Sequence, residues 1–449
     1  MKTILKKIIA YILQIESRLV IFRYKPKIVA ITGSVGKTST KDAVYAVLSG
    51  MSHVRKSEKS YNSEIGLPLT ILGIPNGWNN PLVWVQNIWK GLWLFLSPFG
   101  PHKYPKWLVL EVGVGKPGDM RRTASWFKTD AVIITAISET PAHIEFFNSR
   151  KDLIKEKSEL IKTLKPDGIL ILNADDEDVL SMRNQSKTKD KHRAITYGFT
   201  EGADVLASQD SIFYGDLGEP RGITFRIDER GNSLPVITEG VFGRNHVYAS
   251  LGALAFSSIL KFNMLDAVNS LKNYDVAPGR MRLLNGINGT LIIDDTYNSS
   301  PFACESALKT LGEVKCLGRK IAILGDMLEL GKYTEEAHKN IGKIAKENCD
   351  VLVVVGHRAQ AIKSGALEAG MNNANIFEFL DSYQAHEFVK TFVRAGPPAP
   401  DEGGRAGDLV LVKGSQGMRM ERVVEAILFD KENKEKLLVR QDKEWLKKK

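Results

Sequence analysis

The stretch Val29-Ala30-Ile31-Thr32-Gly33-Ser34-Val35-Gly36-Lys37-Thr38-Ser39 constrains this chain more than any other. Ile28 to Ile31 is short and β-branched, as a buried parallel strand should be. Ala43, Val44, Val47 and Leu48 then recur at helical spacing until Gly50. Between strand and helix, two glycines let backbone N–H groups close around phosphate oxygens at the positive end of a helix. Lys37 would reach the outer phosphates and the Thr38 hydroxyl would sit on Mg²⁺. Ile31 stands where the usual phosphate loop has its first glycine, so this is the shorter Gly-x-x-Gly-Lys-Thr-Ser form.

At 449 residues the chain predicts two or three domains. Cys304, Cys316 and Cys349 lie far apart without metal-type pairing, which fits a reducing, cytoplasmic setting. The formal charge of +10 suggests nucleic acid until it is located. Residues 1–27 carry seven basic and one acidic side chain, and residues 430–449 carry eight and five. The body is therefore near neutral, and a nucleic-acid groove along it is not expected.

Ile4, Ile8, Ile12, Ile15, Leu19 and Phe22 fall on one helical stripe within a basic segment. No apolar run is long enough to span a bilayer. The segment either lies on an anionic membrane surface or packs its stripe on the body. Residues 81–98 contain one charge and three tryptophans, a composition suited to a membrane interface, a partner surface or a buried helix. Both segments together are a candidate peripheral membrane contact, at the inner face. From Trp107 onward strands alternate with helices, which predicts parallel sheets. Strands are expected over 107–110, 131–135, 168–173, 290–293, 320–324, 351–355 and 409–413, with short strands and turns over 203–240. Helices are expected over 151–164, 247–260, 301–311 and 334–346. Residues 395–408 read as a surface loop. The fold class is α/β: a basic segment at 1–27, a central phosphate-loop domain at 28–278 with an aromatic insertion at 76–106, and a C-terminal Rossmann-like domain at 279–449.

Several strand ends present polar side chains where open α/β sheets bind ligands. Glu111 ends an apolar strand and is a natural second Mg²⁺ ligand beside Thr38. Alone, His143 reads as a structural hydrogen-bond donor and Lys157 as part of a solvated helix face. Asp294-Asp295-Thr296-Tyr297-Asn298 follows a strand and suits ribose or metal contact.

The order of these signals resembles the Mur ligase family, ATP-dependent enzymes that form amide bonds in peptidoglycan precursors. The matching stretches are Thr32–Ser39, Tyr61-Asn62-Ser63-Glu64-Ile65-Gly66-Leu67-Pro68-Leu69-Thr70, Glu111-Val112-Gly113 with Pro117-Gly118-Asp119-Met120, and Pro141-Ala142-His143-Ile144-Glu145. Asp294–Asn298, Leu324–Gly331 and Val412-Lys413-Gly414-Ser415 complete the series. The resemblance implies an acyl-phosphate mechanism, with ATP and two Mg²⁺ ions. Its acceptor would be UDP-N-acetylmuramoyl-tripeptide and its amine D-Ala-D-Ala, handled by a monomer. By the same resemblance Lys37, Glu111, His143 and Lys157 are catalytic. Gly33, Ser34, Val35, Gly36, Lys37, Thr38, Ser39, His246, Arg280, Asp295, Tyr297 and Asn298 bind ATP. Asn62, Ser63, Asp326, Lys413, Gly414 and Ser415 face substrate. Thr38, Glu111, His143 and a CO₂-carbamylated Lys157 hold metal.

This sequence departs from the family pattern at Ser63, Ser300 and Gln416, in the reversed Asn245-His246 pair, and at Ala249. Residues 1–27 leave no room for the domain of roughly eighty to ninety residues that grips UDP in relatives, an ordinary small-domain size. Other surfaces are then expected to hold that end of the acceptor. A lipid-linked or polymeric acceptor, and a non-catalytic nucleotide-binding scaffold, are the alternatives.

Overall fold

The computed structural model describes residues 2–58, 61–97, 104–137, 146–147, 149–185, 193–394 and 407–447. Two sheets carry the fold. The first is built from β1 (Lys27–Thr32), β2 (Val54–Lys56), β3 (Trp107–Glu111), β4 (Thr129–Ile134), β5 (Leu164–Asn173), β6 (Ala194–Gly198), β7 (Val205–Tyr214), β8 (Pro220–Glu229) and β9 (Asn232–Glu239). Its order is β2-β3-β1-β4-β5-β6-β7-β8-β9. Strands β2 to β7 pair in parallel, whereas β8 pairs antiparallel with both β7 and β9.

The expectation of a parallel sheet thus holds only for one part. The 203–240 region forms long antiparallel strands because its links are too short for a crossover. Between β8 and β9 there are two residues, Arg230 and Gly231, both at positive φ (48° and 80°), the conformation of a type I′ hairpin turn.

Residues along β1 alternate between two cores. Val29 and Ile31 face one that includes α2 (Lys37–Ser49) and the helix Arg244–Ile259. Ile28 and Ala30 face another, covered by α3 (Gly66–Leu72), α4 (Pro81–Leu96) and the N-terminal helix α1 (Lys2–Tyr24). Such double-sided burial is why β1 reads as a continuous apolar run.

Helix α1 exists as expected, but the expected stripe is not its packed face. Leu13, Ser17 and Val20 are buried, while Ile8, Ile15 and Phe22 are exposed. The helix is apolar on more than one side, so periodicity alone could not choose between them. It runs along α4: Arg23 donates to the carbonyls of Phe95 and Ser97, and the Tyr24 hydroxyl to that of Leu94 at 2.9 Å.

The second sheet contains β10 (Arg282–Asn285), β11 (Leu291–Asp295), β12 (Lys320–Gly325), β13 (Val351–Val355), β14 (Ile376–Phe379) and β15 (Leu409–Lys413). Its order is β10-β11-β15-β12-β13-β14, with β10 antiparallel to β11 and the other pairs parallel. The carboxyl ends of β11, β12 and β15 lie side by side, with Asp295 and Leu324 both in register with Lys413.

Candidate functional site

Strand β1 ends at Thr32 and the chain turns sharply into α2. At Gly33 φ is 152°, and a Cβ there would lie 1.9 Å from the Thr135 hydroxyl. Gly36, at φ 83°, caps α2. Both positions favour glycine, one for closeness and one for conformation. Thr135, at the end of β4, donates its hydroxyl to the Val35 carbonyl at 2.6 Å, and the Ser34 amide donates to the Ala136 carbonyl at 2.6 Å. The loop is thereby pinned from β4. The first turn of α2 presents the amides of Lys37, Thr38 and Ser39, which have no acceptor within the helix.

Register brings Glu111 beside Ile31, so its carboxylate ends at the base of this loop. It is 1% exposed. The Thr38 hydroxyl donates to Oε2 at 2.9 Å and Asn62 Nδ2 to Oε1 at 3.1 Å. Arg280 reaches across from the second half of the chain, with Nη2 3.3 Å from the Thr38 hydroxyl and its guanidinium 3.8 Å over the Tyr297 ring. The buried Nε of Arg280 and the Ser34 hydroxyl have no hydrogen-bond partner among the described residues. A buried carboxylate held by two neutral donors, next to a hydroxyl, is a hard oxygen set that suits Mg²⁺. Among the described residues there is no cluster of three or more His, Cys, Asp or Glu side chains that could hold a metal. His143, expected at a second metal, lies outside the described residues.

Two lysines converge behind the loop. Lys37 Nζ donates to the Ser34 carbonyl at 3.1 Å, and Lys157 Nζ to the Gly33 carbonyl at 2.9 Å. Burial pulls the Lys37 pKa down, opposed by Glu111 and assisted by Arg280. Lys157 is held well below the usual lysine range by burial first, then by the Lys37 charge, with Glu156 opposing. Helical periodicity puts Lys157 on a solvated face; instead it is 4% exposed, because the helix Arg150–Ser158 turns that face toward the phosphate loop.

In the second sheet the expected site residues are largely occupied by one another. Lys413 Nζ pairs with Asp295 Oδ2 at 2.5 Å and donates to the Asn298 carbonyl at 3.0 Å. Asp294 accepts from the Thr296 hydroxyl at 2.6 Å and the Gly279 amide at 3.1 Å. Asp326 accepts the Ala359 amide at 2.7 Å, and the Ser415 hydroxyl accepts the Leu328 amide at 2.8 Å. Gly414 lies against Met420, with no room for a Cβ. Ser63 lies at the start of α3 and lines the cavity described below.

His246 is also placed differently from expectation. Its Nδ1 is 2.8 Å from the Tyr274 hydroxyl and its Nε2 2.8 Å from the Arg280 carbonyl. Both ring nitrogens are used inside the protein, and burial pushes its pKa down to about 4. It lies as a neutral strut under Arg280.

A cavity of about 1030 Å³ joins this region to the N-terminal helix. Thr38, Ser63, Arg280 and Tyr297 line it together with Lys6 and Trp84.

Family models match on both sides of this cavity: the Mur ligase middle domain over residues 31–83 and 98–257, and the Mur ligase glutamate ligase domain over 279–416. The chain belongs to the Mur ligase family. A UDP-N-acetylmuramoyl-tripeptide–D-alanyl-D-alanine ligase from Bacillus subtilis is 28% identical over 403 residues, covering 90% of this chain and 76% of its own. The Escherichia coli enzyme of the same name is 27% identical, covering 89% and 76%. Among solved structures, Thermotoga maritima MurF in complex with ADP superposes with a TM-score of 0.71 at 23% identity, covering 93% and 83%. A folylpolyglutamate synthase from the same organism superposes at 0.58 with 16% identity, covering 96% and 95%.

Sequence reading of this Mur ligase missed Arg440, which lies beyond both family models. Arg440 donates to the Thr296 and Tyr297 carbonyls and pairs with Glu421 at 2.7 Å, so it holds the loop on which Arg280 stacks. Its only signal in the sequence is one charge in a basic tail. Thr135 was missed likewise, for a hydroxyl at a strand end carries no motif.

Proposed function

We propose that this chain is an ATP-dependent ligase that joins the terminal carboxylate of UDP-N-acetylmuramoyl-tripeptide to the amine of D-Ala-D-Ala. The observation that carries the reading is the meeting of Thr38, Glu111 and Asn62 with Arg280, at a phosphate loop backed by the half-buried Lys37 and the buried Lys157. The substrate pair comes from the names of the relatives.

The acceptor carboxylate attacks the γ-phosphorus of ATP, the bond to the β-phosphate oxygen breaks, and an acyl phosphate and ADP result. The dipeptide amine then attacks the acyl carbon, phosphate leaves, and the amine loses a proton as the amide forms. The first step brings two anions together, so its barrier is mainly electrostatic. Lys37 and the α2 amides hold the outer phosphates. Arg280, braced on Tyr297 and His246, reaches the same place from the other sheet. Thr38 and Glu111 would hold Mg²⁺, which supplies charge neutralisation at the phosphates when bound. His143 and a carbamylated Lys157 would hold a second Mg²⁺, as the family resemblance implies. The lowered Lys157 pKa favours the neutral amine, the form that takes up CO₂ as a carbamate.

Residues 28–278 and 279–449 act as two domains that close on the substrates. Asn62 and Ser63 lie toward the acceptor, while Asp326 and Lys413-Gly414-Ser415 shape the wall for the amine. The protein works in the cytoplasm, touching the inner face of a membrane through 1–27 and 81–98. Phosphate release with UDP-N-acetylmuramoyl-tripeptide and D-Ala-D-Ala, followed by mass analysis of the product, tests the reaction. An absence of affinity for adenine nucleotides in the presence of magnesium overturns it.

A further inference from the structure

Helices α1 and α4 lie against each other, yet each leaves a second apolar side uncovered. On α1, Leu5, Ile8, Ile15 and Phe22 are exposed at spacings of three, seven and seven residues. On α4, Leu82, Val85, Trp89, Trp93 and Leu96 are exposed, with Trp89 at 67% and Trp93 at 69%. Soluble surfaces rarely gather so many large apolar side chains. Both helices lie largely outside the family models, which match 31–83 and resume at 98.

The exposed charges carried by the two helices have one sign. Lys6, Lys7, Arg18 and Lys90 are exposed, and the sole acid of the two helices, Glu16, is buried. A second copy of the same face would meet like charge. An anionic bilayer meets the opposite charge, and tryptophan among lysines is the composition of a membrane interface.

We infer that α1 and α4 form a docking platform for an anionic lipid surface, which sets the acceptor cavity beside that surface. Leu5 belongs to both features: it is exposed on the platform and lines the cavity beside Lys6 and Ile9. Pro81 and Trp84, in the first turn of α4, line the same cavity, as do Thr38 and Arg280 of the phosphate-loop region. The acceptor would enter with its carboxylate toward Thr38 and its diphosphate toward Lys6. This last step rests on the ligase reading; the platform itself does not.

The test is co-sedimentation of the full chain with phosphatidylcholine vesicles and with vesicles containing equal phosphatidylglycerol, with Mg·ATP binding measured on the same preparations. Binding is expected to anionic vesicles and to fall with salt. Lys7→Ala/Arg18→Ala should weaken it on the order of thirtyfold, at about fivefold per cation. Trp89→Asp/Trp93→Asp should abolish it while leaving the melting temperature and nucleotide binding unchanged, since both side chains project into solvent. Equal recovery of wild type and the tryptophan variant overturns the platform, as does a dimer in solution that the same variant dissociates. Vesicle binding without nucleotide binding keeps the platform and removes the ligase reading.

Discussion

The two sheets present their carboxyl ends to the same region, but in opposite electrostatic condition. At the first, Glu111 is buried with neutral donors, Lys37 and Lys157 hold only backbone carbonyls, and the Ser34 hydroxyl has no partner among the described residues. At the second, Asp295 has Lys413, Asp294 has Thr296 and Gly279, and Asp326 has Ala359. One end retains electrostatic capacity that a ligand can take up; the other has spent it internally. The lesson is that similar polar strand ends divide between chemistry and scaffold according to whether their partners are already in the protein. In this chain the second sheet contributes chiefly by delivering Arg280 and Tyr297 to the first.

The largest effect should come where the capacity is greatest. Lys37→Ala is expected to lower phosphate release by about 10³-fold or more, because it removes the loop's own cation from the outer phosphates. Glu111→Gln keeps the shape and both neighbours but removes the charge, and should cost on the order of 10²-fold, with a raised magnesium requirement. If steady-state rates for either variant stay within tenfold of wild type, the contrast between the sheets fails at its first end.

The second end is sharpened by stability rather than by rate. Lys413→Met leaves Asp295 buried and unpaired, and should lower unfolding free energy by about 3–5 kcal/mol in urea titration. Adding Asp295→Leu should recover most of that loss. If Lys413 also contacts the dipeptide, as the proposed amine wall requires, the double variant refolds to full stability with a sharply raised KM for the dipeptide.

The phosphate loop, its flanking strand and helix, and the alternating α/β pattern were legible because they rest on local rules: β-branched runs, helical spacing, glycines at forced backbone positions. The Thr38–Glu111 pair was legible because both lie at strand or helix ends that the α/β pattern aligns. What was hidden depended on the third dimension. The burial of Lys157, the closure of Lys413 on Asp295 and the turning of His246 toward Tyr274 and Arg280 link residues 28 to 124 positions apart. No spacing rule reaches that far. The side on which α1 packs stayed open for a different reason, since two sides of that helix are apolar and only its neighbours decide which is covered.

The smallest effect concerns Glu16, the buried acid where α1 meets α4. A Cβ on Gly91 would touch its carboxylate, and Oε2 has no partner among the described residues. Burial raises its pKa from 4.5 to about 7. Between those values the folded protein holds a proton that the unfolded chain has released, so stability falls as pH rises through the window and levels off above 7. The wild type should therefore be more stable at pH 5 than at pH 8, by on the order of 2 kcal/mol from this group. Glu16→Gln should flatten that part of the profile and raise the melting temperature at pH 8, while leaving phosphate release unchanged. An unaltered pH profile in the variant would mean that the carboxyl reaches water, and that the α1–α4 contact is looser than the tight first-sheet core beneath it.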